Sequence, residues 1–330
     1  MTFSISKTLS RRAATRELVE MLSTRRPARS KTEESFISTY IDSLPGVTCD
    51  DHGNRILQIG KAPRVLWSSH TDTVHSKDGI QSVARNGSFV QLHKSEMNSS
   101  CLGGDDSAGV WIMRQMILRR IPGLYVFHRD EEVGGFGSTW IAENTPQLFK
   151  GIDYAIAIDR RGYDSVITHQ GSRCASDEFA RDLAAQLGGD FKPDSTGVFT
   201  DTANYTGLVA ECSNLSCGYG NAHTATEFQD VTFAYDLLER LCALDFNKIR
   251  VARDPDSFDD YSDDFHGYSF GFLDGRKKTK SAKRGQSYGR DNIDELIALC
   301  CSDPCGVADY LDQLGVNAYD LDDFLKYDVR

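Results

Sequence analysis

Apolar residues recur at three- and four-residue spacing through RELVEMLS (16–23) and SKTEESFISTYIDSL (30–44), the second with acids in its first turn, so both predict amphipathic helices. The pattern then changes. DDHGNRILQIG reads as a turn leading into a strand, RVLWSSH as an apolar strand and SFVQLH as a further strand-like run. DSAGVWIMRQMILRR returns to helical spacing, GLYVFHRD to a strand, STWIAENTPQLF to a helical piece and DYAIAIDRR to a strand. SDEFARDLAAQLG predicts another helix, FTDTANYTG a loop, LVAECSNLSCGY a strand and VTFAYDLLERLCALDF a closing helix. Strands alternating with helices argue for an α/β fold, a mostly parallel mixed sheet flanked by helices.

The alternation stops near residue 250, which bounds a main domain over 1–250. Residues 251–290 are polar and Gly/Ser-rich, split into an acidic block and a basic block, and read as a charged flexible linker. Residues 291–330 regain Leu, Ile, Val and Tyr at helical spacing and predict a small helical module, at about 40 residues near the lower limit for independent folding. A protein partner recruited by that module and a plain appendage packing on the core are both open for it.

Composition narrows the function classes. A hydrophobic fraction of 40% fills a substantial core, and a net charge of -11 argues against nucleic acid, whose phosphates demand a face of Lys and Arg. Nine cysteines without a C-x-x-C pair, no apolar leader at the amino terminus and no run of membrane-spanning length lead us to expect free thiols, a cytoplasmic protein and no membrane association.

The polar clusters fall at equivalent points of this map. His70 and Asp72 close one strand, Glu131 and Glu132 follow another, and Asp159 ends a third. Asp105 and Asp106 lie on a Gly-rich turn before a helix, and His223 on a loop before the last one. Each has an ordinary structural role available: a helix cap for the paired aspartates, solvated loop acids for the glutamates, a pairing with Arg160 or Arg161 for Asp159. Their conjunction points further, because the carboxyl ends of strands in open α/β sheets form the crevice where ligands bind. Two zinc ions sharing one carboxylate need that bridge plus a histidine and a carboxylate each, and His70, Asp106, Glu132, Asp159 and His223 supply the count. Manganese or cobalt fits the same ligands. Of the adjacent Glu131 and Glu132, one side chain is free to bind metal while the other faces the attacking water. Asp72 is placed to hold the other ring nitrogen of His70, and so belongs to the catalytic machinery.

Taken in order, HTD, GGDDSAG, DEEVGGFGS, AIAIDRRG and NAHTATE resemble the co-catalytic di-zinc exopeptidase superfamily, which includes peptidase T, bacterial leucyl aminopeptidases and carboxypeptidase G. The resemblance spans about residues 15 to 250. It implies that His70 and Asp159 hold one zinc, that Glu132 and His223 hold the other, that Asp106, second of its pair, bridges them, and that Glu131 is the general base. It implies hydrolysis of a peptide bond, exopeptidase- or aminopeptidase-like. An N-acyl amino acid substrate on the same centre and a non-catalytic binding scaffold are the alternatives. VFTDTANY resembles the superfamily's substrate-proximal loop, making Asp201 a substrate contact, and Arg160 is a candidate anchor for a substrate carboxylate. Glu227, where relatives have a Glu, is a candidate helix cap or support. His75 stands where relatives have proline and is expected on the surface. Only about 60 residues separate Asp159 from His223, too few for the dimerisation domain many relatives insert there.

Overall fold

Residues 11–255 are described in the computed structural model, so the expected linker beyond that point and the module over 291–330 lie outside the described residues. Among the described residues there are six α-helices: α1 (Arg11–Met21), α2 (Lys31–Tyr40), α3 (Gly104–Leu118), α4 (Phe136–Asn144), α5 (Asp177–Leu187) and α6 (Val231–Cys242). Three start on caps legible in the sequence: Ser30, Ser176 and Asp230 accept backbone N–H groups of the first turn. α3 and α4 begin instead after glycines of positive φ, Gly103 and Gly135, with no side-chain cap.

An eight-stranded sheet runs in the spatial order Lys192–Asp194, Ser165–Ile167, Glu211–Ser216, Tyr154–Arg160, Val65–His70, Gly123–His128, Arg55–Ile59, Thr48–Cys49. The four central strands are mutually parallel, whereas Arg55–Ile59 and Thr48–Cys49 join antiparallel on one side and Ser165–Ile167 on the other. Val65–His70, Gly123–His128 and Glu211–Ser216 are buried along their whole length, as parallel strands covered on both faces must be. Alternate residues feed two cores: Trp67, Tyr125 and Tyr154 pack with Trp111 of α3 and Leu237 of α6, while Leu66, Leu124 and Ala155 pack with Ile141 of α4, Phe149 and Tyr205. The segment between Asp159 and His223 supplies α5 and three strands of this sheet.

A second sheet holds one expected strand, within SFVQLH, and three pieces that the residue pattern does not show. Val83–Asn86, Phe89–Leu92, Phe228–Asp230 and Tyr219–Gly220 form a four-stranded antiparallel unit. Three of these pieces are too short to show a two-residue period, and their pairing joins segments far apart in the chain. The unit matters because Tyr219–Gly220 and Phe228–Asp230 grip both ends of the loop carrying His223. FTDTANYTG, expected as loop, contains a 3-10 helix over Asp201–Tyr205.

Candidate metal centre

The crevice expected at the strand ends is the place where the polar residues meet. His70 ends its strand, Asp159 lies at the end of the neighbouring parallel strand, and Glu131 and Glu132 follow the strand on the other side. His70 Nε2 is 2.9 Å from Asp105 Oδ1 and 3.6 Å from Asp159 Oδ1. His223 Nε2 is 3.4 Å from Asp105 Oδ2 and 3.4 Å from Glu132 Oε2. One carboxylate therefore stands between the two imidazoles, and it is that of Asp105. Three sets of donor atoms lie within 4.8 Å of one another: His70 with Asp106 and Asp159, His70 with Glu131 and Glu132, and Asp105 with Glu132 and His223.

This corrects the placing of Asp106 as the group shared by both histidines. The Asp105–Asp106 peptide is cis, and the two side chains have different surroundings. Asp106 is fully buried; its Oδ1 accepts from the Gly109 N–H at 2.8 Å and its Oδ2 from the His70 N–H at 3.3 Å. It joins the start of α3 to the end of the His70 strand and makes no contact with His223. Gly109 permits this packing, because a Cβ there would sit 2.5 Å from both Asp106 oxygens and from the Ile158 carbonyl.

Outer contacts hold the donors. Asp72 Oδ1 and Oδ2 accept from the backbone N–H groups of Glu131 and Glu132 at 3.2 and 3.1 Å, so its carboxylate fixes that pair. His70 Nδ1 lies nearer the Asp72 carbonyl, at 3.1 Å, than its carboxylate, at 3.6 Å. Tyr219 donates its hydroxyl to Asp105 Oδ2 at 3.2 Å, and Thr200 donates to Asp159 Oδ2 at 2.7 Å. Glu227 does support the start of a helix, α3: it accepts four consecutive backbone N–H groups, from Leu102 to Asp105.

The electrostatics show an excess of buried carboxylate. Burial raises Glu131 well above the ordinary glutamate range and raises Glu132 as well, helped by like charges around them. Burial pushes Asp159 up to about 7, with Asp105 adding to the shift. Asp105 goes the other way: burial opposes its ionisation, but the His223 and His70 rings beside it hold it well below the usual range. For the histidines burial favours the neutral ring, yet the Asp159 charge with Asp105 takes His70 well up, and Asp105 with Glu132 takes His223 to about 12. Beneath the site, the buried Arg26 donates to the Thr71 carbonyl at 2.9 Å and to Ser107 Oγ at 3.0 Å.

The donor set fits divalent cations. Glu132 Oε1 and His223 Nε2 are buried with no hydrogen-bond partner, a state that a bound ion relieves. Imidazole with carboxylate, and no thiolate among these donors, suits zinc, manganese or cobalt.

Other expected positions fall differently. His75 is buried, not superficial: its ring nitrogens meet Thr73 Oγ1 at 2.6 Å and the Cys101 carbonyl at 3.0 Å, and burial lowers its pKa to about 4. Asp201 is 1% exposed, its carboxylate 3.1 Å from His128 Nδ1 and both of its oxygens buried without a hydrogen-bond partner. His128, itself buried and bonded to the Tyr205 hydroxyl at 2.6 Å, was missed; it pairs in register with His70, which places it at the same strand edge. Arg160 donates to the carbonyl and hydroxyl of Thr196, both at 3.1 Å, and lies 3.9 Å from Asp194, directing its charge to the sheet edge. The described cysteines are free thiols, as expected. No helix among the described residues is long and apolar enough to cross a membrane.

No protein-family model and no curated protein sequence matches the chain. Solved structures do. Aminopeptidase PepT from Bacillus cereus superposes with a TM-score of 0.58 at 15% identity, over 72% of this chain and 98% of that one. A tripeptidase from Staphylococcus aureus gives 0.59 at 13% identity, over 71% and 97%. The TET1 peptidase of Pyrococcus horikoshii gives 0.52 at 16% identity, over 69% and 98%. Identity this low speaks to architecture, and the α/β fold implied by the five motifs is the fold that the chain shares with these peptidases.

Proposed function

We propose that the chain is a two-metal hydrolase of peptide or related amide bonds, acting as an exopeptidase of the aminopeptidase kind. The observation that carries the reading is Asp105 standing between His70 and His223, with Asp159 on one side and Glu132 on the other. In this assignment His70 and Asp159 hold one ion, His223 and Glu132 the other, and Asp105 is shared. Zinc is the first choice because two imidazoles accompany the carboxylates. A bound pair of such ions supplies Lewis-acid polarisation of the substrate carbonyl and makes water acidic enough to attack at neutral pH.

The chain's residues do the rest. Asp72 fixes the Glu131 and Glu132 backbone, so the two carboxylates are held relative to each other. Glu131 accepts the proton of the attacking water. Its raised proton affinity suits it to keep that proton until the leaving amine takes it. Tyr219 and Thr200 hold Asp105 and Asp159 in their orientations.

The test is metal content by plasma spectrometry, together with hydrolysis of a panel of aminoacyl, tripeptide and N-acyl substrates by protein loaded with zinc, manganese or cobalt. The expected result is two ions per chain and release of an amino-terminal residue. Protein that binds neither ion, or that is loaded and hydrolyses no amide in the panel, overturns the reading.

A further inference from the structure

Among the described residues nine large apolar side chains are exposed, and three of them flank the carboxylate cluster: Val133 at 52%, Phe136 at 55% and Phe199 at 44%. Val133 directly follows Glu132. Phe199 directly precedes Thr200, whose hydroxyl holds Asp159. The two phenylalanines come from distant parts of the chain, and each lies against one of the adjacent glycines of a single turn. The Phe136 ring lies 3.3 Å from where a Cβ on Gly134 would be, and Phe199 Cζ lies 2.4 Å from the equivalent point on Gly135. Gly135 has a φ of 64°, and its missing side chain is the space that Phe199 uses.

The turn beneath the rings is fixed. The N–H groups of Gly134 and Gly135 both donate to the Glu131 carbonyl at 3.0 Å. From the other side, Asn204 donates to Ser138 Oγ at 2.9 Å and Thr139 Oγ1 at 3.1 Å. The same turn therefore carries the Glu131–Glu132 pair at one end and an aromatic surface at the other. Exposed aromatic surface has a free-energy cost in water, and a rigid apolar patch continuous with a polar site is the ordinary form of a ligand-binding wall.

We propose that Phe136, Phe199 and Val133 form a subsite for the apolar side chain of the residue next to the cleaved bond, so that the preferred substrates carry leucine-like or phenylalanine-like side chains there. This rests on the hydrolase reading given above, and its test separates the two. Wild type, Phe199→Ala, Phe136→Ala and the conservative Phe199→Leu are compared on leucyl, phenylalanyl, alanyl and glycyl amides, and zinc-loaded protein is titrated calorimetrically with leucine hydroxamate and glycine hydroxamate. The preference for leucyl over glycyl compounds, in kcat/KM and in binding, should fall about tenfold in each alanine variant and be largely kept by Phe199→Leu. Stronger binding of leucine hydroxamate that is lost in the alanine variants, with no amide hydrolysed by wild type, supports the subsite and defeats the hydrolase reading. Hydrolysis with an unchanged preference overturns the subsite and leaves the hydrolase. Binding of neither hydroxamate overturns it too, as does a change of oligomeric mass in light scattering without a change of preference, which makes the patch an interface between copies of the chain.

Discussion

Replacing Asp105 by asparagine, beside the same change at Asp106, tests the centre most directly, because the two residues are adjacent and their contacts differ. Asp105 meets His70 Nε2 at 2.9 Å and His223 Nε2 at 3.4 Å and also accepts from Tyr219. If both ions share it, Asp105→Asn removes one charged contact from each. At about 1.5–3 kcal/mol per charge-assisted contact, the pair of ions loses about 3–6 kcal/mol, a fall of about 10²- to 10⁴-fold in the combined binding constant. Asp106 is bound by two backbone N–H groups, and asparagine keeps one acceptor oxygen for them. Asp106→Asn therefore lowers folding stability by about 1–3 kcal/mol while leaving most metal affinity. Calorimetric zinc titration of each variant, paired with urea unfolding of the metal-free protein, reads both quantities. Strong metal loss in Asp106→Asn with near-normal binding in Asp105→Asn refutes the assignment.

Glu131→Gln should retain both ions while kcat falls about 10²- to 10⁴-fold; full turnover in a metal-replete variant removes Glu131 as the base. Gly109→Ala drives a methyl group against Asp106 and the Ile158 carbonyl and should lower stability by about 1–3 kcal/mol, so an unchanged melting midpoint contradicts the packing described. His75 has a folded-state pKa lowered to about 4, so between pH 6.5 and 4 the folded protein binds fewer protons than the unfolded chain and stability rises with pH. Acidification through that window should cost wild type about 2–3 kcal/mol more than His75→Gln, whereas parallel unfolding profiles of the two proteins deny His75 this role. His223 is held protonated to about pH 12 in the metal-free site, so zinc binding at neutral pH should release protons, seen as a buffer-dependent heat; a heat independent of buffer ionisation opposes ligation by His223.

Much of this site was legible because its chemistry is carried by short stretches. His70, Glu131, Glu132 and Asp159 sit at strand ends that hydropathy alone locates, and one strand-end rule brings them together. Choosing between Asp105 and Asp106 needs backbone direction: both have non-helical φ and ψ at the start of α3, which no residue pattern encodes. His75 looked superficial because it lies in a polar stretch, yet Thr73, Gln81 and the Cys101 carbonyl give its ring the partners that burial demands. The burial of Asp201 beside His128, 73 positions earlier, has the reverse origin, since such a pair leaves no local trace. The rest of the second sheet was hidden because its stability lies in pairing between remote, very short segments rather than in any amphipathic run.

Glu227 clasps the amide groups of Leu102 through Asp105 while sitting four positions past His223 on the same loop. The two walls of the cluster are thus latched by one side chain that lies outside the candidate donor sets. His223 cannot swing outward as a unit with its loop unless this latch opens, and opening it strips four amides of their acceptor at once. If His223 ligates an ion as proposed, loading and release on that side would be tied to the order of a segment more than a hundred positions upstream.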